Sequence, residues 1–214
     1  MLGLVAPAAL AVLVGLLAGG SLSHWCTVRV RWWPVVAICM LVQVALFSPW
    51  LEQQPAVIAC GSWLYVISLA GVLAVLLANA RAGRGAFSPL ALAALGVALN
   101  CLVILANGGH MPRSVEAAAS VGQASASQPV RDRLVNVQPM TNDTQLVWLG
   151  DSLPQPRWLP MANVISVGDL LLAAGLACWA FRVTTPAFDW RAVPHRRRSN
   201  PDRSLGSTKE ATVV

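Results

Sequence analysis

The chain has 214 residues, of which 56% are hydrophobic and only 11% are charged, and its mean hydropathy is +0.61. This composition excludes an ordinary soluble domain and indicates a membrane protein. The formal net charge of +6 does not indicate a nucleic-acid partner, because the basic residues lie beside apolar runs without an aromatic stacking pattern.

Five apolar runs approach the length of a membrane-spanning helix, which needs about 20 residues. In chain order they cover residues 1–22, 32–47, 56–78, 88–106 and 161–183. The second run is the shortest and spans a membrane only if flanking tryptophans act as interfacial anchors. No lysine or arginine precedes Arg29, so we expect the first run to be a retained helix rather than a cleaved signal peptide. The predicted fold is all-α: a polytopic transmembrane bundle of about five spanning helices, with a long extracytoplasmic loop between the fourth and the fifth.

Basic residues follow the first, third and fifth runs, and such residues accumulate in cytoplasmic loops. They are Arg29, Arg31, Arg81, Arg84, Arg182, Arg191, Arg196, Arg197, Arg198, Arg203 and Lys209. The pattern predicts a multi-pass protein of the cell (cytoplasmic) membrane with its N-terminus outside and its C-terminus inside. We expect a transmembrane domain over residues 1–183, with its outer loop at 107–160, and a basic cytoplasmic tail over residues 184–214. The tail is polar enough to be disordered, and its basic run is better explained as an orientation signal than as a lipid-binding site.

The outer loop is too long for a simple turn. Its alanine-rich part predicts a short helix around residues 115–121, followed by a flexible link. From residue 145 to residue 158 the loop becomes amphipathic, and its prolines exclude a continuous helix. We expect this part to lie on the outer membrane surface, with Trp148 and Trp158 at the level of the lipid headgroups.

The first of two short motifs that bracket the loop is Asn107-Gly108-Gly109-His110-Met111-Pro112. Glycine often follows the last turn of a helix in a positive-φ conformation, and proline prevents the helix from resuming. A helix terminator therefore explains this motif. His110 has no second histidine, cysteine or carboxylate at ligand spacing, so we predict no metal site. The five dispersed cysteines contain no Cys-x-x-Cys pair either, and we expect no cofactor.

The second motif contains Asp169, a lone carboxylate in the fifth apolar run. A charge at the centre of a membrane helix costs about 2.5–3.5 kcal/mol and by default marks a functional site. However, Ser166-x-x-Asp169 also matches a capping box, and a carboxylate there lies at the positive end of the helix dipole. We favour the cap over a relay. We also expect the two motifs to meet and to anchor the outer loop to the bundle.

Short motifs in a consistent order carry a family resemblance. They are Asn107-Gly108-Gly109-x-Met111-Pro112, the Leu-Pro-x-Pro within residues 151–156, and Ser166-x-Gly168-Asp169. With these motifs the chain resembles a family of uncharacterised bacterial integral membrane proteins, known only as a domain of unknown function. The resemblance covers about residues 1–183. It implies a small polytopic membrane protein and transfers no activity, substrate or catalytic residue.

Three functions fit these observations. The favoured one is a structural or interaction subunit, whose partners would be the lipid bilayer and another membrane protein. The alternative is a small transporter or channel, with a path lined by Gln43, Asn100 and Asp169, although interhelical hydrogen bonding explains these residues as well. The least favoured is a membrane enzyme at the outer face, using His110, Asp132, Asp151 and Asp169 as acid–base groups. The sequence does not predict the oligomeric state or assign any catalytic or cofactor-binding residue.

Overall fold

The computed structural model describes residues 2–48, 50–51, 54–82, 88–123, 136–159 and 162–185. This part of the chain is mostly helical. Its α-helices are α1 (Leu2–Leu17), α2 (Trp33–Leu46), α3 (Pro55–Ala82), α4 (Pro89–Ala106), α5 (Val115–Ser120) and α6 (Val167–Thr184). Its short strands are β1 (Met111–Arg113), β2 (Val137–Pro139), β3 (Leu153–Pro154) and β4 (Val164–Ile165), and two 3-10 helices cover Leu22–Cys26 and Val147–Leu149.

Three helices are long and apolar enough to cross a membrane, namely Pro55–Arg81 of α3, Pro89–Ala106 of α4 and Val167–Thr184 of α6. The first two predicted spans are apolar but shorter, since α1 has 16 residues and α2 has 14. The run that contains α1 ends early because Gly19 adopts a positive φ of 86°, a conformation that interrupts a helix. The start of α2 is set by Pro34, which occupies its first turn.

The main helix contacts run in the order α2–α3–α4–α6–α1. Glycines bring α4 and α6 close together. A Cβ atom on Gly96 would lie 2.6 Å from the backbone nitrogen of Leu172, and one on Gly175 would lie 2.7 Å from the carbonyl oxygen of Pro89. Small residues allow such close approach in membrane bundles, where van der Waals contact drives helix association.

Large apolar side chains cover the outward faces of the helices. Residues with more than half of their surface exposed include Leu13, Ile38, Leu41, Ile67 and Leu102. A soluble monomer rarely exposes so much apolar surface. The exposed apolar faces agree with three helices that are long and apolar enough to cross a membrane.

The segment between α4 and α6 (residues 107–165), here called the connecting segment, contains all four strands. β1 and β2 pair in parallel with Met111 opposite Val137, and β3 and β4 pair antiparallel. The all-α prediction therefore needs a correction to a mostly helical fold with short strands. Prolines prevent helix continuation in this segment, and strands of two or three residues are too short to show an alternating pattern.

One further prediction for the connecting segment is confirmed, and other predictions fall on residues that the structure does not describe. The predicted short helix is present as α5, whose N-cap Ser114 accepts a hydrogen bond from the backbone nitrogen of Ala117 at 3.2 Å. The predicted flexible link falls mainly on residues 124–135, and the basic tail from residue 186 onward. Both stretches lie outside the described residues.

The connecting segment packs onto the bundle through a shared apolar core. Met111 and Leu149 join buried residues of α3 and α4, including Val66, Val97 and Ile104. Leu149 and Ile104 are both only 1% exposed. The segment is therefore an extension of the helix bundle rather than a loose loop.

Candidate functional site

The start of α6 is held by the predicted capping box. Ser166 Oγ accepts a hydrogen bond from the Asp169 backbone nitrogen at 3.0 Å, and the Ser166 backbone nitrogen donates to Asp169 Oδ2 at 3.2 Å. Ser166 has no exposed surface. Two backbone donors at the helix N-terminus are thus satisfied by reciprocal side-chain contacts.

Asn100 on α4 completes this cap from the neighbouring helix. Its Nδ2 donates to Asp169 Oδ1 at 2.8 Å, and its Oδ1 accepts from Ser166 Oγ at 2.9 Å. One amide group therefore bonds both members of the capping box. The carboxylate that looked anomalous in the sequence receives hydrogen bonds on both oxygens, which compensates for its transfer from water.

The position of Asn100 explains why the second motif has a glycine at residue 168. A Cβ atom on Gly168 would overlap Asn100 Oδ1, and would lie 2.7 Å from both Asn100 Cγ and the carbonyl oxygen of Gly96. Gly168 leaves room for the Asn100 amide to reach the cap. The Ser-x-Gly-Asp motif and Asn100 thus form one contact between α4 and α6.

The first motif ends α4 as predicted. Gly108 and Gly109 adopt positive φ angles of 68° and 94°, and the Gly109 nitrogen donates to the carbonyl oxygen of Ile104 at 2.9 Å. Non-glycine residues rarely adopt such angles, so this turn requires its glycines. The backbone reversal directs the chain from α4 into β1.

Asn107 clamps the connecting segment to the end of α4. Its Nδ2 donates to the carbonyl oxygens of Val103, at 2.8 Å, and of Gln145, at 3.0 Å. Its Oδ1 accepts from the backbone nitrogen of Gln145 at 2.9 Å. The side-chain amide thus pairs with both backbone polar groups of one residue that lies 38 positions further along the chain.

The two motifs do not bond to each other directly. Asn107 contacts Gln145, whereas Ser166 and Asp169 contact Asn100. No hydrogen bond joins residues 107–112 to residues 166–169, all of which the structure describes. Instead, each motif is attached to α4 by hydrogen bonds.

A buried ion pair in the connecting segment was not predicted as such. Arg113 Nη2 lies 3.2 Å from Asp151 Oδ2, Arg113 Nε donates to the same oxygen at 3.4 Å, and Arg113 Nη1 donates to Gln123 Oε1 at 3.4 Å. Arg113 is 9% exposed and Asp151 is 6% exposed. Burial raises the pKa of the Asp151 carboxyl to about 7, and the Arg113 guanidinium opposes this rise.

The backbone around the ion pair is also paired. The Asp151 nitrogen donates to the carbonyl oxygen of Pro112, and the Ser114 nitrogen donates to the carbonyl oxygen of Asp151, both at 2.9 Å. Pro112 thus holds the backbone of Asp151 beside the ion pair, while Met111 is part of the apolar core.

The candidate residues of the transporter and enzyme hypotheses are only partly brought together. Asn100 and Asp169 are in contact, but Gln43 donates from Nε2 to Ser68 Oγ at 3.0 Å between α2 and α3. No hydrogen bond joins the His110 ring to Asp151 or to Asp169 within the described ranges. Asp132 lies outside them. Among the described residues, no group of three or more histidine, cysteine or acidic side chains is placed to hold a metal.

A second amide clamp lies at the opposite end of the bundle. Asn79 near the end of α3 accepts from the backbone nitrogen of Arg31 at 2.9 Å and donates to the carbonyl oxygen of Arg31 at 3.0 Å. It also donates to its own helix at Val75, as Asn107 does at Val103. The residue after Arg31 is Trp32, which adopts a left-handed conformation with φ 63°. That conformation costs a non-glycine residue about 1–2 kcal/mol.

Sequence comparison gives a family but no activity. Neither the curated proteins nor the solved structures include a significant match to the chain. A model of the family described as "Family of unknown function (DUF5317)" matches residues 27–181. The match begins after α1, whereas the resemblance seen in the sequence was expected to start at residue 1. Because the match covers most of the chain, including both motifs and Asn100, this protein belongs to the DUF5317 family of unknown function.

Proposed function

We propose that the protein is a five-span integral protein of a bacterial cytoplasmic membrane, where it acts as a structural or interaction subunit. In this arrangement the N-terminus and the connecting segment are outside and the C-terminus is cytoplasmic. α1 and α2 complete the set of spans, and a short span is accommodated by local thinning of the bilayer at modest cost. Arg29, Arg31 and Arg81 then fall on the cytoplasmic side, as the positive-inside rule requires.

The observation that carries the proposal is the bonding of the polar side chains within the bundle. Asn100 and Asp169 bond to each other and to Ser166, and Gln43 bonds to Ser68. These contacts fix neighbouring helices, as interhelical hydrogen bonds do in other membrane bundles. They support a role in architecture better than a role in moving ions or protons.

The connecting segment supplies a surface for a partner. Its described part is attached to α4 through Asn107 and packs on α3 and α4 through Met111 and Leu149. Trp148 is 68% exposed and Trp158 is 81% exposed. Exposed tryptophans on a fixed backbone are suited to partner recognition, because aromatic side chains dominate protein interfaces.

The test is to purify the protein in mild detergent and to measure the mass of the intact assembly by native mass spectrometry. We expect a stoichiometric membrane-protein partner that is lost from the Trp148→Ala/Trp158→Ala variant. The matched control is Trp33→Ala, which removes an exposed tryptophan of similar accessibility at the opposite end and retains the partner. A monodisperse lone monomer would contradict the proposal, and solute or ion flux through that monomer in lipid vesicles would favour the transporter.

The orientation has its own test. A reporter fused after Val214 is expected to be active only on the cytoplasmic side, and one inserted after Asn142, in an exposed turn of the connecting segment, only on the outer side. Activity at Val214 on the external face would overturn the proposed topology.

A further inference from the structure

Three arginines and two tryptophans are gathered at the end of the bundle opposite the connecting segment. The Asn79 clamp holds the backbone of Arg31 against the end of α3. Arg81 follows Asn79 by two residues on the same helix, and Arg29 precedes Arg31 by two residues in the connection that leads to α2. This group, here called the Arg–Trp surface, consists of Arg29, Arg31, Trp32, Trp33 and Arg81.

Among the described residues, no acidic side chain compensates the positive charge of the Arg–Trp surface. Its three arginines are exposed, and none forms a salt bridge with another described residue. The chain segments that form this end of the bundle, residues 18–35, 76–82 and 178–185, contain no aspartate or glutamate. An anionic partner would therefore meet attraction from several side chains and no repulsion from a carboxylate of these described segments.

The exposure of Trp32 and Trp33 bears on the kind of anion that would fit the Arg–Trp surface. Trp32 is 63% exposed and Trp33 is 64% exposed, so burial within the protein does not offset the unfavourable conformation of Trp32. Tryptophan is favoured at the membrane–water interface, where its ring lies at the level of the headgroups. A surface with both features fits the phosphate and the glycerol region of a lipid better than a free anion or a nucleic acid.

We propose that the Arg–Trp surface binds anionic phospholipid headgroups of the cytoplasmic leaflet. The guanidinium groups of Arg31 and Arg81 bond to phosphate oxygens, for which the planar fork of arginine is well matched. The rings of Trp32 and Trp33 pack beside the glycerol backbone. The inference rests on the proposed membrane topology but not on the proposed protein partner, which would bind at the other end of the molecule.

The test compares thermal unfolding of the full chain in detergent with added phosphatidylglycerol or phosphatidylcholine. We expect phosphatidylglycerol to raise the unfolding midpoint at lower lipid fractions than phosphatidylcholine does. The Arg31→Gln/Arg81→Gln variant should lose this difference, with about a five-fold loss of apparent affinity for each arginine. Both Asn79 contacts are with the backbone of Arg31, so the substitutions leave the clamp intact.

Two further variants keep the test decisive. Arg157→Gln removes an arginine of the connecting segment and is expected to keep the preference for phosphatidylglycerol. Trp32→Gly relieves the left-handed strain while removing a ring. It is expected to fold at least as well as the wild type in phosphatidylcholine and to lose part of the response to phosphatidylglycerol.

Three results would overturn the inference. They are equal stabilisation by both lipids, a preference that survives the double arginine substitution, and equal stabilisation when inorganic phosphate replaces phosphatidylglycerol at matched concentration. If a stoichiometric protein partner copurifies while any of these results is obtained, only the lipid site fails and the proposed function stands.

Discussion

Replacing Gly168 by alanine places a methyl group where the Asn100 amide contacts the cap of α6. The added Cβ would lie 2.7 Å from Asn100 Cγ and 2.7 Å from the carbonyl oxygen of Gly96. The Asn100 side chain can rotate away, but the Gly96 backbone can move only if α4 moves with it. The substitution therefore both separates α4 from α6 and removes the hydrogen bond that Asn100 donates to Asp169.

The expected loss of stability follows from three contributions. Overpacking costs about 1–3 kcal/mol, and a lost hydrogen bond to a charged group costs about 1.5–3 kcal/mol. Alanine regains about 1 kcal/mol through its higher helix propensity. We expect a net destabilisation of about 2–4 kcal/mol, and each kcal/mol lowers the unfolding midpoint of a chain of this size by about 2–4 °C.

The measurement is thermal unfolding in detergent, followed by the fluorescence of the nine tryptophans. Val167→Ala is the control, since it changes the neighbouring helical position and should cost less than about 0.5 kcal/mol. Asn100→Ala should be destabilising by itself, and its combination with Gly168→Ala should cost less than the sum of the two. The reasoning is refuted if Gly168→Ala unfolds like the wild type or if the two effects are additive, because residues in contact are expected to couple.

Other predictions concern separate contacts. Burial raises the pKa of Asp151 from 3.8 to about 7, so its contribution to stability is full below pH about 4 and is lost as pH rises through about 7. Asp151→Asn should remove this part of the pH dependence of the unfolding midpoint, and an unchanged pH profile would contradict it. Asn107→Ala should release Gln145 and speed hydrogen exchange of its backbone amide by about ten-fold or more, whereas protection equal to the wild type would exclude the clamp. Gln43→Leu should cost only about 0.6 kcal/mol, the average for such interhelical bonds, and a much larger thermal shift would show that Ser68 is not its main partner.

The positions of the helices could be predicted because apolar run length and helix-ending residues are local signals. The run at 88–106 corresponds closely to α4 (Pro89–Ala106). The run at 161–183 starts too early, since α6 begins only after its N-cap at Ser166. The capping motif at Ser166 is visible in the sequence, and it marks the start of α6 more accurately than the apolar run does. The short lengths of α1 and α2 were harder to predict, because they depend on single turn residues.

The contacts between distant residues could not be predicted. Asn100 could be predicted to form an interhelical hydrogen bond, because it is a polar residue in an apolar run. Nothing in the neighbouring sequence indicates that it bonds to both Ser166 and Asp169. Asp151 entered the sequence analysis only as an acid–base candidate, and its pairing with Arg113 could not be predicted because it depends on how a connection of 38 residues folds back. The strands also depend on pairing with another part of the connecting segment, β1 with β2 and β3 with β4.

The central claim is that the Asp169 carboxylate is part of the architecture and not a relay, and Asp169→Asn tests it most directly. The variant retains one oxygen for the Ser166 nitrogen but loses the charge and an acceptor for Asn100. The measurement is the unfolding midpoint of this variant, together with proton and ion flux of both proteins in lipid vesicles. The account predicts a folded protein with a midpoint lowered by several degrees, and flux that does not depend on the substitution. An unchanged midpoint together with a proton or cation flux that is present in the wild type and absent from the variant would contradict it.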